Sequence, residues 1–140
     1  SFLKINGTSD EVNSPFAGGI VVSNNVANLL CGHFVRIYKT RIFQVNICDN
    51  VFDSTDLPGG FWEKTNFFAI KIAENIEYIR QLRISGNHYR GRNVANSGIY
   101  IESPIESLII ISENTFRQIK NPNILPSESS EVIIRDNIGG

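Results

Sequence analysis

Residues 53–66 hold side chains suited to carbohydrate chemistry, because three carboxylates accompany two aromatic rings, one of them the only tryptophan of the chain. In chain order these residues are Asp53, Asp56, Phe61, Trp62 and Glu63. A flat ring can stack on the apolar face of a pyranose. Glycoside hydrolysis needs two carboxyl groups, about 5–5.5 Å apart for retention or about 6.5–9.5 Å for inversion. The carboxylates are therefore candidate catalytic residues, and the rings are candidate sugar-binding residues.

Residues 88–97 form a basic counterpart that contains His88, Arg90 and Arg92. Arginine and histidine can hold the carboxylate of an acidic sugar through bidentate, charge-assisted hydrogen bonds. A polysaccharide lyase needs that neutralisation and also a base that removes the C5 proton. These three residues are therefore candidate substrate-binding groups.

Both groups also have a purely structural interpretation, which the sequence leaves open. Phe61 and Trp62 can fold their segment back onto the body of the protein, with the neighbouring carboxylates solvated. The basic residues can form a solvated turn that pairs with Asp53 or Glu63.

Other kinds of chemistry have little support in the sequence. No His or Cys pair has the spacing of metal ligands, no acidic loop resembles a calcium site, and no glycine-rich phosphate loop or nucleophile motif is present, so we expect neither a metal nor a cofactor. The formal net charge of −1 disfavours a nucleic-acid partner. No apolar run exceeds four residues, which is far short of a membrane-spanning helix.

The elements that position the candidate residues follow from an internal repeat. A pattern of two alternating apolar residues, an Asn three positions later and usually a further apolar residue recurs five times. Its Asn residues are Asn25, Asn50, Asn87, Asn114 and Asn137. Alternation with a period of two predicts β-strands, and a repeat of about 23 residues can bury its apolar side only by stacking on its neighbours. The sequence therefore predicts one all-β domain over residues 1–140, a parallel β-solenoid of about five coils.

The repeated Asn residues have a structural role in this prediction. Asn tolerates left-handed backbone conformations and bonds to nearby backbone groups, so we place it where a strand ends and the chain turns inward. Stacked Asn side chains can also bond to one another, which satisfies their buried amides. Tyr89 occupies the same inward position as Phe52 and Phe116, so its neighbour His88 is expected to point outward.

The repeat resembles a known family in the segments Gly98–Ile101 and Ile109–Phe116. These segments are similar to the right-handed parallel β-helix of the pectin-lyase-like superfamily, which includes polysaccharide lyases, hydrolases and bacteriophage tailspikes. The resemblance covers about residues 3–138 and is more specific for fold than for function. Neither the Asn-Thr-Asp and Asp-Asp motifs of polygalacturonases nor the calcium-binding Asp cluster of pectate lyases is present, so the chain is most like a tailspike segment.

The insertions and the outward-facing apolar residues indicate how the protein assembles. Insertions at 53–66, 88–97 and 117–130 are expected to lie side by side on one lateral face. Outward Ile110 and Ile133, with Leu108, form an apolar strip, and apolar strips often mark interfaces. We therefore expect a homotrimer or continuation into another domain. Because the chain has no Met, we also expect a fragment of a longer protein.

The leading functional prediction is a tailspike-like β-helix segment, in a virion tail or extracellular, that recognises bacterial surface polysaccharide. Whether it also depolymerises the glycan is left open. One alternative is a secreted polysaccharide lyase or glycoside hydrolase of the same fold, and another is a structural fibre segment without catalysis.

Overall fold

The protein is an all-β structure in the part of the chain that the computed structural model describes, namely residues 3–6, 17–30, 33–38, 40–54, 68–73, 76–91, 97–102, 108–118, 124–125 and 131–139. In chain order its strands are β1 (Leu3–Asn6), β2 (Ala17–Ser23), β3 (Val26–Leu30), β4 (Val35–Tyr38), β5 (Thr40–Cys48), β6 (Val51–Ser54), β7 (Phe68–Ile72), β8 (Ile76–Ser85), β9 (His88–Arg90), β10 (Ser97–Ile101), β11 (Leu108–Ser112), β12 (Thr115–Arg117), β13 (Ile124–Leu125) and β14 (Glu131–Arg135).

The strands form three parallel sheets, and each sheet takes every third strand of the chain. The first sheet has the order β1-β4-β7-β10-β13, the second β2-β5-β8-β11-β14 and the third β3-β6-β9-β12. Successive strands of one sheet are therefore one sequence repeat apart, which is the arrangement expected of stacked repeats. The predicted all-β class and parallel pairing are confirmed, and the architecture is consistent with a parallel β-solenoid.

The core consists of columns of apolar side chains from equivalent positions of successive repeats. In the second sheet Val45, Leu82 and Ile109 are in register and fully buried, and the column two residues later is equally buried. Isoleucine and valine suit these positions because β-branched side chains pack well on a pleated surface. The alternation of apolar residues in the sequence therefore predicts correctly which side chains of these strands face the core.

The Asn residues of the repeat form a continuous hydrogen-bonded ladder. Each side-chain Nδ2 donates to Oδ1 of the next Asn, at 3.0 Å from Asn25 to Asn50 and at 2.9 Å for the three later steps. The same Oδ1 also accepts the backbone N–H of the preceding Asn at 3.0–3.1 Å. The second Nδ2 hydrogen of Asn50 bonds to the carbonyl of Val22, in the previous repeat, at 2.9 Å. Buried Asn50, Asn87 and Asn114 are thus fully satisfied, as the sequence predicted.

The left-handed turn residue lies one position before each ladder Asn, which corrects the placement expected from the sequence. Five residues have φ between 55° and 68° and occupy this position: Asn24, Asp49, Gly86, Glu113 and Asp136. The left-handed residue turns the chain between the second and third sheets. The amide of the following Asn is then free to stack along the ladder.

The short third sheet is a further feature that the sequence did not indicate. Its strands β9 and β12 have three residues each, too few for an alternation signal. At their centres Tyr89 and Phe116 are buried, as is the equivalent Phe52 of β6. The expected inward position of Tyr89 is therefore confirmed, and strands extend into all three segments that the sequence assigned to insertions.

His33 lies two residues before β4, in surroundings that are expected to make the stability of the fold depend on pH. Its half-buried ring lies parallel to that of Phe68, and the Phe68 N–H donates to Nδ1 at 2.9 Å. Burial lowers the pKa of His33 from 6.5 to about 4. Lys71 and Arg36 act in the same direction, and the Phe68 carbonyl, 3.2 Å from Nδ1, acts against them. The folded state therefore favours the neutral imidazole.

We expect the free energy of unfolding to decrease as the pH falls from about 6.5 to about 4. In this range His33 is protonated in the unfolded chain but neutral in the folded protein, so protonation favours the unfolded state. The loss should be about 1–2 kcal/mol once screening at this half-buried position is allowed for. Urea denaturation at several pH values measures it. In His33→Asn, which keeps a hydrogen-bond acceptor but cannot titrate, this part of the pH dependence should vanish. Equal pH profiles for the two proteins would contradict the assignment.

Candidate lateral binding site

The outward face of the third sheet collects polar side chains because each strand has a buried residue flanked by two outward ones. The outward residues before the buried position are Val51, His88 and Thr115, and those after it are Asp53, Arg90 and Arg117. Within each set the residues are in register across β6, β9 and β12. Neighbouring strands lie about 4.8 Å apart, so three charged side chains follow one another along the stack.

These residues line a groove of about 390 Å³, which we call the lateral groove. Its lining residues are Asn28, Val51, Phe52, Asp53, His88, Tyr89, Arg90, Thr115 and Arg117. Its lining combines apolar Val51 and the rings of Phe52 and Tyr89 with the charged groups of Asp53, Arg90 and Arg117. An apolar lining with a few polar groups is typical of a ligand-binding site.

Arg90 is held in a defined orientation by a neighbouring repeat. Its Nε donates to Oε1 of Gln118 at 2.7 Å. No further hydrogen bond to its guanidinium is made within the described residues, so its two terminal nitrogens are available to a ligand. A guanidinium edge of this kind matches a carboxylate bidentately.

Gln118 holds Arg90 from a strained backbone conformation. Its φ is 52°, in the left-handed region that a residue with an ordinary side chain adopts at a cost of about 1 kcal/mol. Gly91, one repeat earlier, donates its N–H to the carbonyl of Arg117 at 2.8 Å, next to the strained position. Strained backbone conformations are often found at functional sites. The strain at Gln118, beside the groove, therefore fits a role for this residue in orienting the Arg90 side chain.

The charge pattern of the lateral groove suits an anion. Arg90 and Arg117 are in-register neighbours, and Asp53 lies on the other side of Arg90. No protein hydrogen bond to the Arg117 guanidinium is made in the described part of the chain. Two adjacent guanidinium groups repel each other unless an anion lies between or beside them. A carboxylate, sulfate or phosphate group would supply that charge.

The structure brings together three of the residues singled out in the sequence. Asp53 is half-buried, His88 and Arg90 are exposed, and all three line the lateral groove. The outward position predicted for His88 is therefore observed. The remaining candidates lie outside the described residues: Asp56, Phe61, Trp62, Glu63 and Arg92.

Sequence reasoning missed two contributors to the site, Arg117 and Gln118. The signal was available, because Arg117 follows buried Phe116 just as Arg90 follows Tyr89, 27 residues earlier. Residues that follow equivalent inward positions share a face of the stack, so the repeat predicts this pairing. From the sequence, residues 117–130 were instead expected on the same lateral face as an insertion, and no side chain in that segment was singled out.

Two other kinds of site find no support in the described part of the chain. No group of three or more His, Cys, Asp or Glu side chains there could hold a metal ion. Nor does any helix there have the length and apolar character needed to cross a membrane.

Comparison with known proteins returned no relative: no protein-family model, no curated protein and no solved structure matches the chain.

Proposed function

We propose that the lateral groove recognises an acidic polysaccharide of a bacterial surface, with Arg90 and Arg117 binding the sugar carboxylates. The observation that carries this proposal is the in-register pair of guanidinium groups, one of them oriented by Gln118 at 2.7 Å. A polysaccharide repeats its charges along its length, and a groove that runs across stacked strands offers groups in a matching line.

The proposal includes the class of protein. A strand from each of three parallel sheets in every repeat, together with the Asn ladder, fits a right-handed parallel β-helix of about five coils, similar to the pectin-lyase-like superfamily. Within that superfamily we propose a bacteriophage tailspike-like segment, in a virion tail or otherwise extracellular. In such a protein the lateral surface of the helix contacts the glycan.

Recognition is better supported than hydrolysis. Asp53 is the sole carboxylate among the described residues that line the lateral groove, whereas glycoside hydrolysis uses two flanking carboxyl groups. The other proposed carboxylates, Asp56 and Glu63, lie outside the described residues. Intact polysaccharide after prolonged incubation is therefore the expected result, and a fall in glycan size would identify a depolymerase.

The double variant Arg90→Gln/Arg117→Gln is expected to weaken polysaccharide binding about tenfold, because two charge-assisted contacts at exposed side chains are lost, each worth roughly 0.5–1 kcal/mol. Binding to a panel of capsular and O-antigen polysaccharides at fixed ionic strength measures the effect. The matched control is Arg80→Gln, an exposed arginine of β8 outside the lateral groove, which should bind like the wild type. Equal weakening by both changes would indicate nonspecific charge attraction and contradict the proposed site.

We also propose that the functional unit is a homotrimer joined along the second sheet. The outward column Asn46, Arg83, Ile110 and Ile133 is in register across β5, β8, β11 and β14. Half-buried Leu108 lies beside its apolar end, which gives a strip suited to an interface between subunits. This strip and the lateral groove belong to different sheets, so assembly leaves the groove accessible.

A further inference from the structure

The lateral groove changes in character along the stack of repeats. Each of its strands presents two outward side chains in register, namely Val51 and Asp53 on β6, His88 and Arg90 on β9, and Thr115 and Arg117 on β12. Among the described residues that line the groove, guanidinium groups lie only on β9 and β12, and a carboxylate lies only on β6. One half of the groove is therefore cationic, and the other half combines an anionic and an apolar side chain.

The cationic half can hold one carboxylate that both arginines contact. Neighbouring strands lie about 4.8 Å apart, so an anion between Arg90 and Arg117 can bond to both guanidinium groups. A pyranose residue in an extended polysaccharide advances by a similar distance, so the next sugar in the direction of β6 lies beside Asp53. A carboxylate on that sugar would meet a like charge instead of a guanidinium group, and like charges repel. The sugar at β6 is therefore expected to be uncharged.

Val51 gives the β6 half of the groove an apolar contact. Its side chain is 45% exposed although β6 is paired on both sides, with β3 and with β9. Asp53 lies two residues later on the same outward side, because buried Phe52 separates the two. A methyl group can pack on Val51 without leaving a polar group unsatisfied. A hydroxyl group in the same place would lose hydration without gaining a partner.

Asp53 suits the hydroxyl groups of the same uncharged sugar. It is half-buried and lines the groove. An ionised carboxylate only accepts hydrogen bonds, and it has about four lone-pair positions for them. Sugar hydroxyls can therefore donate to Asp53 while a methyl group of that sugar lies against Val51.

We propose, on the basis of the glycan recognition proposed above, that the lateral groove selects a polysaccharide in which an acidic sugar adjoins an uncharged sugar that carries a methyl group. The carboxylate lies between Arg90 and Arg117, and the methyl group of the neighbouring sugar packs on Val51. The methyl group belongs to a 6-deoxyhexose or to an acetyl substituent. A homopolymer of a uronic acid is disfavoured, because it carries a carboxylate on every sugar, including the one beside Asp53.

The test compares polysaccharide fragments of equal length by isothermal titration calorimetry at fixed ionic strength. The probes are homopolymers of glucuronic and mannuronic acid, and polymers that alternate a uronic acid with glucose, with a 6-deoxyhexose or with an acetylated sugar. Wild-type protein should bind the methyl-bearing polymers about fourfold more tightly than the glucose polymer, which is the factor expected from burying one methyl group. The homopolymers should bind most weakly.

Two conservative variants assign this selectivity to single residues. Val51→Thr keeps a branched side chain that suits a strand but replaces one methyl by a hydroxyl, so it should abolish the preference for methyl-bearing polymers. Asp53→Asn removes the negative charge and should raise the affinity for the homopolymers about threefold. The matched control is Val21→Thr, at a position of β2 that is 65% exposed and lies in the second sheet, and it should select like the wild type.

Deacetylation distinguishes the two sources of the methyl group. Mild alkali removes acetyl esters and hydrazine removes acetyl amides, whereas both leave the methyl group of a 6-deoxyhexose in place. If deacetylation abolishes the effect of Val51→Thr, the methyl group belongs to an acetyl substituent, and if the effect persists, it belongs to a 6-deoxyhexose. Tighter binding after removal of acetyl amides would overturn the inference, since it would show that Asp53 receives a cationic amino group.

The inference and the proposed function fail in different ways. Binding that survives Arg90→Gln/Arg117→Gln, or no binding to any acidic polymer, would overturn the proposed function and the inference with it. Binding that depends on both arginines but is equally tight for homopolymers and methyl-bearing polymers would overturn the inference alone. The same holds if Val51→Thr keeps the wild-type preference.

Discussion

Asn87→Ala is expected to lower the free energy of unfolding by about 3–5 kcal/mol, because it empties a buried rung of the ladder. Asn87 Oδ1 accepts the Asn50 backbone N–H at 3.1 Å and Asn50 Nδ2 at 2.9 Å. Asn87 Nδ2 donates to the Ile47 carbonyl and to Asn114 Oδ1, both at 2.9 Å. The substitution removes the acceptor of the Asn50 backbone N–H and of one Nδ2 hydrogen of Asn50, and it removes the Asn87 donor to the Ile47 carbonyl. Each buried group left unsatisfied costs about 1–3 kcal/mol, whereas Asn114 Oδ1 keeps the Asn87 backbone N–H. Urea denaturation measures the loss.

Two further variants separate the ladder from the general effect of removing an amide. Asn28→Ala changes an exposed Asn of β3 and should shift stability by less than about 0.5 kcal/mol. Asn87→Asp keeps the acceptor but turns a carboxylate toward the Ile47 carbonyl. Its destabilisation should therefore be larger at neutral pH than at a pH where the new carboxyl group is protonated. A loss below 1 kcal/mol for Asn87→Ala would show that the ladder contributes little.

Gly98→Ala should cost about 2–4 kcal/mol, because the added methyl group has no space. A Cβ at Gly98 would lie 2.6 Å from Cε1 and 2.7 Å from Cδ1 of Phe116. Both residues are buried, so the ring cannot move aside without disturbing the core. Thermal and urea denaturation should give the same loss.

Gly18→Ala is the matched control, since Gly18 also lies in a strand but has nothing within 4 Å of an added Cβ. It should be neutral or stabilising by a few tenths of a kcal/mol, through a less flexible unfolded chain. Phe116→Leu combined with Gly98→Ala should cost less than the sum of the two single changes, because the smaller side chain relieves the contact. Strict additivity, or equal costs at Gly98 and Gly18, would contradict the packing described here.

The fold was predictable where the sequence carries a repeated physical pattern. Alternating apolar residues such as Val45 and Ile47 mark inward positions, and the recurring Asn marks the turn, so the parallel stacking of repeats follows. The ladder was predictable because a buried amide requires partners, and the only partners of matching chemistry at that position are other Asn residues. The left-handed residue was expected at the ladder Asn itself but lies one position before it. Its type varies from repeat to repeat, so no single residue type marks this position in the sequence: it is Asn24, Asp49, Gly86, Glu113 and Asp136.

The site was predictable only in part. His88 and Arg90 were singled out from their types and from the inward position of Tyr89 between them. The three-residue strands of the third sheet carry no alternation of their own, so the alignment of Arg117 with Arg90 can be predicted only from the equivalent positions of Phe116 and Tyr89 in the repeat. The register of β9 and β12 shows that alignment. The bond from Arg90 to Gln118, 28 residues away, depends on side-chain geometry that no sequence pattern records.

The most direct test of the proposed glycan recognition compares one acidic bacterial polysaccharide with its carboxyl-reduced derivative. Both are incubated with the protein and analysed by size exclusion, which reports co-elution and glycan length together. We expect the acidic polymer to co-elute intact with the protein and the reduced polymer, which has the same backbone without carboxylates, to elute alone. Equal co-elution of both polymers, or of neither across a panel of acidic polysaccharides, would contradict recognition through Arg90 and Arg117.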